Sequence, residues 1–214
     1  MASTPYTKAA IGMPPPFTSD NSLAPFTVSM AAYLAANAGF EGLATGALVF
    51  YSSPPKDAIT TNEFEGIEED RILLVQRAPH DSMPLRWEVP GGACDDEDET
   101  VLHAMARELW EEAGLRAARI GPQVGESMVF FTRRGRRVLK VSFLTEVLLG
   151  EEKEGRPVVK LDPEEHVAFL WASEDECRRH RVDETEITFT HTSQEQTVLE
   201  GFRLRRELKR RAAS

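Results

Sequence analysis

Glu108, Glu111 and Glu112 stand three and four positions apart in the run Arg107-Glu108-Leu109-Trp110-Glu111-Glu112-Ala113-Gly114-Leu115. On a helix that spacing gathers three carboxylates on one face. Like charges so placed repel by about 0.2–0.5 kcal/mol per pair on an isolated helix, so a helix with no other duty would interleave lysines there. The cluster calls for a cation. Hard carboxylate oxygens suit Mg2+, with Mn2+ as the alternative, and Mg2+ sites combine a few carboxylates with waters and substrate phosphates. A bound ion would polarise a phosphoryl oxygen while a neighbouring glutamate takes the proton of a water. Gly91-Gly92, shortly upstream, lets backbone come close enough for a carbonyl to join the donors. Arg107, beside Glu108 and one turn before Glu111, is placed to hold a carboxylate in a fixed direction. Taken alone, Glu-x-x-Glu-Glu is more often a solvated helix face, so its surroundings decide.

The helix that must carry this face is predicted over Thr100 to Ala113. Leu102, Met105, Ala106, Leu109 and Ala113 fill a second, apolar face at the same period and dock it on a sheet. Asp98 or Thr100 can cap its start, and the acidic run Asp95 to Glu99 is read mainly as helix-dipole compensation. Strands are predicted at Ala47 to Tyr51, Arg71 to Arg77, Pro157 to Leu161 and Val167 to Trp171, with a hairpin of Met128 to Arg133 and Val138 to Glu146 about Gly135. Further helices are expected at Ser173 to Arg179 and Gln194 to Arg211, and a short one capped by Ser29. The acidic stretch holding Glu63, Glu65, Glu68, Glu69 and Asp70 is read as a solvated insertion. Strands interspersed with helices indicate an α/β layered domain.

Composition sets the frame. A chain of 214 residues suits one domain with extensions. Residues 1–25, rich in Pro, Ser and Thr, read as a flexible leader; 26–42 read as an N-terminal extension with a short helix, and 43–214 as the domain. A net charge of −10 argues against a nucleic-acid partner, because polyanion affinity is built from Lys and Arg. The apolar-rich stretch from Met30 to Tyr51 is interrupted by Asn37, Glu41 and three glycines, which excludes a membrane span. Cys94 and Cys177 are too few for a disulfide framework, so a cytoplasmic setting is expected, with the nucleus left open.

Together these residues resemble the Nudix box: Gly, five residues, Glu, seven residues, then Arg-Glu-aliphatic-x-Glu-Glu-x-Gly-aliphatic. Seven residues separate Glu99 from Arg107, and Arg107, Glu108, Leu109, Glu111, Glu112, Gly114 and Leu115 match the second part in full. Six residues, one too many, separate Gly92 from Glu99, which reads as an insertion before Glu99. The resemblance implies a Nudix-like α/β/α sandwich with a mixed central sheet. It also implies a Mg2+-dependent hydrolase of a phosphoanhydride bond in a nucleoside diphosphate linked to another moiety. Carried onto this chain, Glu108, Glu111, Glu112 and the Gly92 carbonyl become the metal site, with Glu108, Glu111, Arg107 and Glu99 in catalytic or supporting roles. The family often adds an acid from outside the box, for which Glu165 is the candidate.

Arg133 and Arg136 of the basic hairpin and the aromatic ring of Trp87 are candidate substrate contacts, although basic hairpin tips and strand aromatics commonly serve solubility and the core. The stretch 15 to 18 residues beyond the box holds neither the proline of typical ADP-ribose cleavers nor the tyrosine of typical dinucleoside polyphosphate cleavers. The expected partner is therefore a small nucleotide: a nucleoside triphosphate, nucleotide sugar or dinucleotide. The main rival is a non-catalytic, nucleotide-sensing module on the same fold; a second is an RNA-directed hydrolase, which would want a broad basic surface. Oligomeric state is not legible.

Overall fold

The computed structural model describes residues 16–53, 68–148, 152–153 and 156–213. The strands are β1 (Thr18–Ser19), β2 (Gly42–Ser53), β3 (Glu69–Arg77), β4 (Trp87–Glu88), β5 (Ala117–Gln123), β6 (Met128–Phe131), β7 (Arg137–Val147), β8 (Glu152–Lys153), β9 (Arg156–Pro157), β10 (His166–Ser173), β11 (Arg181–Val182) and β12 (Thr185–Glu186). The α-helices are α1 (Met30–Ala36), α2 (Val101–Ala113), α3 (Glu174–Arg178) and α4 (Thr192–Ala212). Eight strands form one sheet in the order β1-β5-β7-β2-β3-β10, with β4 added on β3 and β6 on β7. The sheet is mixed: β2 runs parallel to β7 and antiparallel to β3.

Both faces of the sheet are covered, which is why its central strands read as near-continuous apolar runs. Leu43, Ala47 and Val49 of β2, Leu73 of β3, and Val141 and Phe143 of β7 pack with Leu102, Met105, Leu109 and Ala113 of α2. The alternate residues Leu48, Phe50, Ile72, Leu74 and Leu144 face the other way, onto Val198 and Phe202 of α4. At Gly201 a Cβ would sit 2.3 Å from Leu48 Cδ2, so α4 lies closer to the sheet than any other residue would allow. The result is the α/β/α sandwich expected, with α2 fixed by one sheet face and its carboxylates on the side away from that core. No helix among the described residues is long and apolar enough to cross a membrane.

Three expectations need correction. The flexible leader was drawn too long: residues 1–15 lie outside the described residues, but β1 pairs in parallel with β5, and Leu23 and Phe26 are buried in the α2-side core. Of the acidic insertion, Glu63 and Glu65 lie outside the described residues, whereas Glu69 and Asp70 begin β3. Asp70 accepts hydrogen bonds from Arg205 and Lys209, both at 2.8 Å, and so ties β3 to α4. Pro157 to Leu161 is not a strand beyond Pro157. The Lys160 amide donates instead to the Ala113 carbonyl at 2.9 Å and that of Asp162 to the Glu112 carbonyl at 3.3 Å, so this backbone satisfies the orphan acceptors at the end of α2. The short helix capped by Ser29 is present.

Since Leu109 is fully buried under α2, Leu109→Ala should lower stability by about 2–5 kcal/mol, read as a fall in the urea midpoint at unchanged slope.

Candidate active site

α2 begins at Thr100, whose hydroxyl accepts from the His103 amide at 3.3 Å, and ends at Gly114, whose φ of 65° is the left-handed C-cap. Between these caps Glu108 and Glu112 are buried, and Glu111 is half-buried. Arg107 holds them apart: one guanidinium nitrogen donates to Glu108 at 2.6 Å and to Glu111 at 3.1 Å. The rest of the fork is locked in place by Asp98, at 2.9 Å from both Nε and Nη2, and by the Ala93 carbonyl at 3.0 Å.

Opposite this face runs the loop from Pro90 to Cys94, laced onto β2 by three backbone bonds: Ala47 N–H to Pro90, Thr45 N–H to Gly92, and Cys94 N–H to Leu43. Gly91 has φ of 138°, and a Cβ there would meet the Thr45 carbonyl at 2.4 Å; at Gly92 one would meet Glu108 Oε2 at 2.5 Å. Both glycines are thus required by the approach of backbone to β2 on one side and to α2 on the other. The Gly91 amide donates to Glu112 at 2.6 Å. The Gly92 carbonyl accepts from Thr45 at 2.8 Å and retains its second lone pair.

The loop before β10 brings in two more groups. The Ala78 amide donates to the Glu165 carbonyl at 2.9 Å, and that of His166 to the Asp162 carbonyl at 2.8 Å. Donor atoms of Glu112, Glu165 and His166 all lie within 4.8 Å of one another. Burial pushes Glu108 up to about 7, with the charges of Glu111 and Glu165 adding to it and Arg107 opposing. Burial and the neighbouring Glu108 and Glu88 raise Glu112 well above the usual carboxylate range. Glu88, in β4, behaves oppositely: burial disfavours its charge, but Lys140, His166 and Arg77 outweigh it and hold the carboxyl at about 2.

Four residues are not where they were expected. Glu99 turns outward, its side chain 80% exposed, and among the described residues it pairs with His103 at 3.7 Å; Asp98 takes the place beside Arg107. The extra residue in the box is absorbed by letting the acid one position earlier turn inward. Trp87 is buried in the α4-side core with its indole N–H donating to the Glu186 carbonyl at 3.1 Å, so it offers no face to a base. Asp95 and Asp96, read as dipole compensation, line a groove of about 1000 Å3.

That groove opens beside Glu88 and Gly91-Gly92 and is bounded by Met30, Phe130 and Lys140. Arg133 and Arg136 also line it, the latter donating to the Glu41 carbonyl. The α2 carboxylates do not line the groove; they abut it through Gly92 and Glu88. Sequence reasoning missed Glu88, Asp98 and Lys140. The signal for Glu88 and Lys140 was a charged residue inside an otherwise buried strand, which is expensive unless paired or used.

A NUDIX domain family model matches residues 61–192. A putative 8-oxo-dGTP diphosphatase 2 of Mycobacterium tuberculosis is 33% identical over 114 residues, covering 52% of this chain and 70% of that protein. A MutT-like protein of Streptomyces ambofaciens is 37% identical over 65 residues, 30% of this chain and 39% of the relative, so the matched stretch spans well under half of that protein's length. The crystal structure of a MutT NUDIX hydrolase from Burkholderia pseudomallei shares the fold with a TM-score of 0.50 at 20% identity, covering 74% of this chain and 96% of that one.

Two measurements follow. Because Glu108 is raised from its ordinary 4.5 to about 7, the folded state of metal-free protein binds more protons than the unfolded chain between these values. Stability should therefore fall as pH rises through that window. Glu108→Gln should flatten this decline in a pH series of unfolding midpoints, and an equally steep decline in the variant would contradict the assignment. Asp98→Ala should cost about 1–3 kcal/mol by leaving Arg107 short of its partner, while Glu99→Ala should stay within about 0.5 kcal/mol.

Proposed function

From the premise that the chain belongs to the Nudix family, we propose that it hydrolyses a phosphoanhydride bond in a small nucleoside diphosphate derivative. The observation that carries this reading is the clustering of four carboxylates, from Glu108, Glu111, Glu112 and Glu165, of which Glu108 and Glu112 lie against the Gly91-Gly92 loop at the edge of the groove. Buried like charges that raise one another's proton affinity are an unstable arrangement by themselves. Their hard oxygen chemistry fits a divalent cation, with Glu108, Glu111, Glu112, Glu165 and the Gly92 carbonyl as the residues that would hold it. When bound, Mg2+ supplies charge neutralisation at the bridging phosphates and lowers the proton affinity of a water.

The remaining work falls to side chains. Glu108 is tethered by Arg107, which fixes the direction in which its carboxylate is presented to a metal or a water. The Gly91 amide, by donating to Glu112, fixes which of its oxygens stays available. Arg133, Arg136 and Lys140 offer positive charge along the groove for a polyphosphate, and Phe130 and Met30 offer apolar surface for a base. The likeness to a putative 8-oxo-dGTP diphosphatase supports testing nucleoside triphosphates, oxidised ones included, before nucleotide sugars and dinucleotides. The two free cysteines, both buried, support a cytoplasmic setting.

The test is release of nucleoside monophosphate or inorganic phosphate from a panel of these compounds with Mg2+. Turnover should require the ion and fall by at least about 100-fold in Glu111→Gln and in Glu112→Gln. A folded wild type inactive on every compound would move the protein to the nucleotide-sensing reading.

A further inference from the structure

His166 occupies an environment that its own strand does not explain. It is 3% exposed, and neither ring nitrogen has a hydrogen-bond partner among the described residues. A buried imidazole normally donates from one nitrogen and accepts at the other, so two unsatisfied nitrogens mark a group awaiting a partner. The nearest anion on one side is Glu88, whose Oε1 lies 3.9 Å from Nε2, beyond hydrogen-bond reach and already committed to Arg77. Glu112 and Glu165 complete the group, with all three residues' donor atoms within 4.8 Å of one another.

We propose that Glu112, Glu165 and His166 form a mixed carboxylate and imidazole site that takes a first-row transition ion, Mn2+ above Mg2+. The inference rests on the reading that these carboxylates hold a divalent ion, and it adds a nitrogen ligand and a metal preference. Mg2+ favours an all-oxygen octahedron with several waters, whereas Mn2+ shares its affinity for carboxylate oxygen but, as a first-row transition ion, accepts an imidazole nitrogen more readily. Three protein donors leave positions open for water or substrate, as catalytic metal sites do.

The fold builds the convergence. Neighbours on a strand normally point to opposite faces, but the pairing of β10 with β3 shifts register between His166 and Ala168. Such irregularities re-aim side chains beside sites. The Asp162 carbonyl accepts from the amides of both Glu165 and His166, at 3.1 and 2.8 Å, while the Asp162 amide donates to the Glu112 carbonyl at 3.3 Å. One turn thereby clamps all three ligands' backbones together. Glu88, 3.9 Å from Nε2, closes the other side of the imidazole.

The experiment is pulsed electron paramagnetic resonance on full-length, chelator-treated protein loaded with Mn2+. Nitrogen-14 modulation is expected, replaced by the nitrogen-15 pattern in protein labelled with [15N]histidine, a comparison that leaves the fold untouched. His166→Asn should abolish the signal and weaken Mn2+ binding by roughly tenfold or more, with Mg2+ affinity changing by less than about twofold. Mn2+ bound without nitrogen coupling in the wild type would overturn the histidine ligand and leave the carboxylate site standing. Folded wild type that binds neither Mn2+ nor Mg2+ would overturn both.

Discussion

Two glutamates of one helix, Glu108 and Glu112, are carried out of water at adjacent turns, and the rest of the site is organised around that electrostatic cost. Desolvating one carboxylate already favours its neutral form, and a second beside it compounds the effect. The protein meets the strain with directed donors rather than with bulk positive charge. Arg107 reaches Glu108 and Glu111, the Gly91 amide reaches Glu112, and Asp98 fixes the guanidinium so that it cannot collapse onto one carboxylate. The arrangement leaves negative potential in a confined place, which a divalent ion can discharge and a monovalent side chain cannot.

Such precision needs a stiff support on two sides. On one, the apolar face of α2 is pressed onto strands from three parts of the chain. On the other, the loop from Pro90 to Cys94 follows β2 by backbone bonds, independent of side-chain rotamers. Glycine at 91 and 92 is a consequence of bringing helix, loop and strand to within contact of one another. Glu88, held charged by Arg77, Lys140 and His166, sits beneath as a fixed negative counterweight that adds to the proton affinity of Glu112.

Much of this was legible from residue types and spacing. Glu108, Glu111 and Glu112 declared a shared face because the 3.6-residue period also sorts Leu102, Met105 and Leu109 onto another. Glu165 could be proposed only because the family resemblance implies an acid outside the box. Asp98 could not be separated from Glu99, because counting residues says nothing of the path a loop takes when it carries one extra. Trp87 misled because an aromatic in a strand has the same local signature whether it lines a groove or fills a core. Val158 and Val159 suggested a strand by β-branching, yet the amides just beyond them, of Lys160 and Asp162, donate to the last carbonyls of α2. Lys140 and Glu88 find each other only when β4 and β7 are brought together by the tertiary fold.

The central place of β2 in the sheet sets a minimum for any fragment meant to keep this fold. The family match begins at residue 61, after β2 has ended, and stops at 192, where α4 begins. Yet β2 is paired with β7 on one side and β3 on the other, so without it the sheet would part into two halves with their inner edges bare. The stretch matched by the family model therefore lacks a central strand of the sheet. A gene fusion or domain swap that respected only that stretch would transfer the catalytic signature without the strand that closes the sheet around it.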